Sequence, residues 1–195
     1  IKRAADCGVQ PAVHAIGDRA NRVALDAFAA LSAEQRQRLR PRIEHAQVVD
    51  LEDIPRFTQL RVIASMQPTH ATSDMPWAED RVGAQRIAGA YAWRQLRDSG
   101  ARLALGSDFP VERVDPRLGL QAATTRADGE GKPVGGWFPG EKLTAFEALR
   151  GFTLDAAHAG FAEAEVGSLV AGKRADFVVL AADPLASPEA RLKEI

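Results

Sequence analysis

His14, His45 and Asp108 have the residue types and the spacing for metal-assisted hydrolysis. His45 follows His14 by 31 residues, and Asp108 follows His45 by 63. These intervals match about one and two strand–helix units, so the three side chains keep phase with a βα repeat. Two imidazoles and a carboxylate suit a divalent ion, zinc best of all. Such an ion lowers the pKa of a coordinated water from about 15.7 to roughly 7 and polarises a carbonyl oxygen. A carboxylate beside that water can take its proton and later pass it to a leaving amine. Asp108 can therefore be both ligand and proton shuttle.

Singly, each residue has an ordinary structural explanation. A histidine at a strand end is more often a hydrogen-bonding partner than a ligand, and an aspartate after a strand often caps the next turn. Common phase with the repeat is what favours a site. Asp18 and Glu44 flank the histidines and can either orient a ring N–H or remain surface charges. His70 follows Pro68 at the end of another strand candidate. It is a substrate contact or oxyanion stabiliser, or a packed loop residue. Trp77 and Trp137 fall in loops that can line a pocket or simply pack. His158 is expected to cap helix carbonyls. No Gly-x-Ser-x-Gly elbow and no Gly-x-x-x-x-Gly-Lys phosphate loop occurs.

The elements that must carry these residues alternate. Strand candidates are 9–16, 42–46, 62–66 and 102–107. The last is Leu103-Ala104-Leu105 running into Gly106-Ser107-Asp108, with Pro110 ending the run. Between them, apolar residues at helical spacing (Ala20, Val23, Ala24, Ala27, Phe28, Leu31) predict a helix, followed by a polar surface connection over 32–40. Further helices are expected over about 51–60, 81–98 and 115–127. Such alternation predicts a parallel sheet, because each parallel crossover needs a helix. The Gly/Pro-rich stretch 128–142 predicts a long loop. Thr144 and Glu147 form a capping-box pattern for a helix to about His158. Two strands are expected at 166–173 and 175–180.

Composition excludes several classes. The 195 residues carry 25 basic and 26 acidic side chains, so no excess charge points to nucleic acid or an anionic membrane. Cys7 is the one cysteine, which rules out an intrachain disulfide and a cysteine-rich zinc site. No apolar run approaches the roughly 20 residues of a membrane span. The expected partner is a small-molecule substrate, with a homo-oligomer allowed and a cytoplasmic location. The first residue is Ile, and the final Leu192-Lys193-Glu194-Ile195 carries no stop signal, so the chain reads as a segment of a longer protein.

Several blocks carry a family resemblance. They are Val13-His14-Ala15-Ile16-Gly17-Asp18, Arg42-Ile43-Glu44-His45-Ala46-Gln47, Ser65-Met66-Gln67-Pro68-Thr69-His70, Gly106-Ser107-Asp108-Phe109-Pro110-Val111-Glu112, and 167–177 (Gly-Ser-Leu-Val-Ala-Gly-Lys-Arg-Ala-Asp-Phe). In this order they resemble the C-terminal half of metal-dependent amidohydrolases, family 3, of the YtcJ-like branch. The resemblance implies an α/β fold: the C-terminal half of a (β/α)8 barrel over 1–165, and strands of a flanking β-sandwich over 166–195. It implies that His14 and His45 match metal ligands after the fifth and sixth strands. Asp108 then matches the ligand and general base after the eighth, and one or two divalent ions, most simply zinc, are bound. The family's first-strand His-x-His pair and its bridging lysine or glutamate would lie upstream. The implied function is hydrolysis of a non-peptide carbon–nitrogen bond in a small amide-like substrate by a metal-activated water. A non-catalytic binding protein on the same scaffold, or an esterase or deaminase with the same chemistry, are the alternatives.

An isolated half-barrel would expose sheet edges and apolar surface. The 195-residue chain alone is therefore expected to be inactive and to fold poorly or self-associate. Size-exclusion chromatography and thermal melting test this, and a monomer with a sharp cooperative transition would overturn it.

Overall fold

The computed structural model describes residues 1–187 and 189–195, and the side chains of Glu189 and Ala190 are outside the description. The chain divides into two compact units, Ile1–Met66 with Ala78–Leu103, and Gln67–Trp77 with Ala104–Ile195. The elements run α1 (Lys2–Asp6), β1 (Ala12–Ala15), α2 (Asp18–Ala29), α3 (Ala33–Leu39), β2 (Arg42–His45), α4 (Ile54–Gln59), β3 (Ile63–Met66), α5 (Pro68–Asp74), α6 (Ala78–Arg86), α7 (Trp93–Asp98) and β4 (Leu103–Leu105). After them come α8 (Pro116–Thr125), α9 (Ala145–Arg150), a π-helical turn (Gly151–Asp155) and α10 (Ala156–Ala159).

The first unit contains β1, β2 and β3, side by side in that order, and both β1–β2 and β2–β3 are parallel, as the alternating pattern predicts. Ala12 pairs with Arg42 and Arg42 with Ile63, so the strands begin level with one another. One side of the strands is apolar and buried (Ala15, Ile43, Ala64, Met66) and belongs to the core with Leu25 and Phe28 of α2 and Phe57 of α4. Helix α2 and helix α4 are also tied by charge. The buried Asp53 carboxylate accepts from Arg22 Nε at 2.7 Å and from Arg56 Nη1 at 2.9 Å. Donation to the Asp53 carboxylate is the main reason both guanidiniums are held above their ordinary pKa.

Three departures from the sequence expectation have local causes. Residues 33–39 form a helix, not a surface connection, because Ser32 and Gln35 make a complete capping box. The helix expected over 81–98 is interrupted. Gly83 adopts φ 80° and ψ 159°, and Ala90 bridges Val48 in an isolated antiparallel pair. The strands expected at 166–173 and 175–180 are not formed. Among the described residues no strand lies beyond β4, and Val178 and Val179 are 80% and 84% exposed. β-branched composition favours a strand only where a neighbour supplies ladder bonds and a face to pack on.

In the second unit, α8 starts at Pro116 behind Asp115, whose side chain accepts from the Arg117 backbone N–H at 3.0 Å. Arg117 also closes a bidentate ion pair on Asp115. The box of Thr144 and Glu147 forms as the sequence predicts. No helix among the described residues is long and apolar enough to cross a membrane.

Asp115 has its pKa lowered, chiefly by the Arg117 side-chain hydrogen bond. A depressed folded value adds stability above the unfolded pKa of about 3.9. That stability is lost as pH falls through the folded value. Asp115→Ala is expected to cost about 1 kcal/mol at pH 7. Urea unfolding at several pH values should show the difference narrowing below about pH 4.

Candidate metal centre

His14 lies on β1 and His45 is the last residue of β2. In a regular parallel ladder they would point to opposite faces, because His14 pairs with Glu44 and His45 pairs with Ala15. Their rings nevertheless meet edge to face, with centroids 4.6 Å apart. The backbone explains the meeting. His45 has φ 81° and Ala46 has φ 44°, so two consecutive non-glycine residues leave the β region just as the strand ends.

Each left-handed residue costs of order 1–2 kcal/mol and persists only when its surroundings over-determine it. Here they do. Ala46 N–H donates to Ala15 O at 3.0 Å, and Val48 N–H donates to Ile16 O at 2.8 Å. On the other side, Tyr91 N–H donates to Gln47 O at 2.6 Å, and Val49 N–H to Gly89 O at 2.9 Å. The segment after β2 is thus held between the loop after β1 and the 87–91 turn. Gly89 allows the close approach, since a Cβ there would overlap the Val49 carbonyl. His45 is buried, whereas His14 is exposed.

In the second unit, Asp108 lies three residues past the end of β4 with φ 57°. It sits in a turn closed by Val111 N–H donating to Asp108 O at 2.8 Å. Its carboxylate Oδ2 is 3.9 Å from His70 Nε2. His70 is not at a strand tip. It is buried in the first turn of α5, which starts with Pro68 directly after β3. Pro68 was the available signal, because proline is favoured at the first helical position. A second link joins α5 to this loop, with Ser73 Oγ donating to Glu112 Oε1 at 2.6 Å.

The other candidates take ordinary partners. Glu44 accepts from Arg42 Nε, and Asp18 lies 3.7 Å from Arg86 Nη1. His158 Nδ1 is 3.7 Å from Glu163 Oε1. Trp137 stacks near Phe138, and Arg126 lies over its ring at 5.1 Å. Trp77 is half exposed. In the first unit two imidazoles meet at neighbouring strand ends, and in the second an imidazole lies near a carboxylate; all are donor types that bind divalent cations.

The sequence profile described as "Amidohydrolase family" matches residues 1–195. The chain belongs to the amidohydrolase family. It is 36% identical over 192 residues to YtcJ of Bacillus subtilis, whose name assigns it to the amidohydrolases, covering 98% of this chain and 36% of that one. It is 32% identical over 197 residues to N-substituted formamide deformylase of Arthrobacter pascens, covering 99% of this chain and 35% of the relative. Among solved structures it is similar to an uncharacterized metal-dependent hydrolase from Pyrococcus horikoshii, with TM-score 0.81 and 34% identity over 96% of this chain and 37% of that chain. A second such hydrolase, from Pyrococcus furiosus, gives TM-score 0.78 and 36% identity, covering 94% of this chain and 36% of the other. This amidohydrolase chain therefore spans about a third of the length of these relatives.

Gly89→Ala should displace the segment that holds His45. A destabilisation of about 2 kcal/mol or more is expected, given the overlap with backbone rather than with a movable side chain. Denaturant unfolding of the variant measures it, and wild-type stability would contradict the close approach.

Proposed function

We propose that the whole protein is a metal-dependent hydrolase acting on a non-peptide carbon–nitrogen bond of a small amide-like substrate. The observation that carries this reading is the His14–His45 ring pair, brought together at adjacent strand ends by a strained left-handed turn. Strain of this kind clusters at functional sites. Membership of the amidohydrolase family and the 32% identity to a formamide deformylase support the reaction class.

In this reading His14, His45 and Asp108 hold the cation, and zinc is the best match to two imidazoles and a carboxylate. The ion supplies Lewis acidity toward the substrate carbonyl and acidifies the attacking water. His14 and His45 donate ring nitrogens as neutral ligands, which requires both to be deprotonated at those atoms. Asp108 accepts the proton of the attacking water on a carboxylate oxygen and returns it to the departing nitrogen. His70, buried in the first turn of α5, fixes the substrate by a hydrogen bond from its ring.

Elemental analysis of the full-length protein tests the proposal, with wild type beside His45→Ala and Asp108→Asn. Wild type should hold about one or two transition-metal ions per chain, and the variants should hold fewer. Asp108→Asn should also lose turnover by about a hundredfold or more. Matched amide, ester and amine substrates then separate amide hydrolysis from esterase and deaminase activity. A wild type that stays metal-free after zinc is supplied would favour a binding protein on the same scaffold.

A further inference from the structure

Asn21 lies on α2, is fully buried, and belongs to neither the ligand set nor the apolar core. Its Nδ2 faces four carbonyl oxygens: Gly17 at 2.9 Å, Val48 at 3.1 Å, Ile16 at 3.2 Å and Ala15 at 3.4 Å. The first, third and fourth belong to the end of β1 and the loop that follows it. Val48 belongs to the loop after β2. On the other side of the amide, Oδ1 is buried with no hydrogen-bond partner. A buried amide that leaves its acceptor unsatisfied spends stability to keep its donor in place.

We propose that Asn21 is a positioning residue whose carboxamide clamps the loops after β1 and β2 together and thereby fixes the His14–His45 pair in ligand geometry. This rests on the reading that both histidines bind the metal. Without the clamp, the segment 46–48 keeps its backbone bonds to Ala15 and Ile16 but loses the side-chain contact to Val48 O. The left-handed conformation of His45 and Ala46 is then less tightly determined. Groups that orient metal ligands without touching the metal are worth about 10- to 100-fold in affinity.

The test uses the full-length protein and measures zinc affinity by competition with a chelator. The cobalt-substituted form adds a visible absorption spectrum that reports ligand geometry. Asn21→Leu removes the amide while keeping the number and branching of the side-chain heavy atoms. Asn21→Ser is milder, because its hydroxyl can still bond the carbonyl four residues back, Gly17 O, but is too short to reach Val48. Leu25→Ala on the same helix is the control for general destabilisation, since Leu25 is fully buried and its apolar side chain bonds none of these carbonyls. Both Asn21 variants should weaken zinc binding by about tenfold or more at temperatures where they remain folded, with an altered cobalt spectrum. Leu25→Ala should lower the melting temperature while leaving affinity and spectrum as in wild type. Wild-type affinity and spectrum in Asn21→Ser, or an equal loss in Leu25→Ala, would overturn the inference. A wild type without zinc affinity, or a His45→Ala variant that binds as tightly as wild type, would instead overturn the functional reading on which it rests.

Discussion

The left-handed pair His45–Ala46 is the constraint on which the histidine end of the first unit depends. A parallel ladder assigns alternate residues to opposite faces, and the β1–β2 register puts His14 and His45 out of step. Only a departure from the β region at the strand end brings their rings to 4.6 Å. The cost of that departure is spread over backbone bonds to Ala15, Ile16, Gly89 and Tyr91, and over the Asn21 amide. No single one of these would hold two unfavourable residues.

The same economy recurs around Asp108. It too has positive φ, and it too sits just beyond a strand, in a turn braced from within its own unit. Helix α5 supplies that bracing through the Ser73–Glu112 bond. A short helix starting immediately after a strand gives a fixed direction to side chains that a loop would leave free. That is how His70 becomes buried and oriented within seven residues of helix.

The exposed Phe177, Val178 and Val179 show the opposite case. Their composition is that of a strand, yet the described chain offers them no ladder partner. Sheet formation is a property of pairs, so a strand pattern states a preference that only a neighbour can satisfy. Residues 33–39 make the complementary point. Their polar sequence suggested a connection, but a capping box is a local device and needs no distant partner to start a helix.

What the sequence determined by itself is what local physics can enforce. The alternation of apolar strands and amphipathic segments was enough for a parallel sheet, and β1–β2 and β2–β3 pair in parallel. The capping box of Thr144 and Glu147 announced a helix that starts where it predicts. The phase of His14, His45 and Asp108 with the repeat singled out the candidate residues, and the motif blocks placed the chain in its family. Tertiary structure decided the rest. It turned His45 toward His14 against the parity of the strand, broke the 81–98 segment so that residues 87–91 could brace Gln47 and Val49, and gave Asn21 four carbonyls to hold. Each of these depends on groups brought together from distant parts of the sequence. The energy of a left-handed residue or a buried amide is set by those neighbours, and no local pattern encodes them.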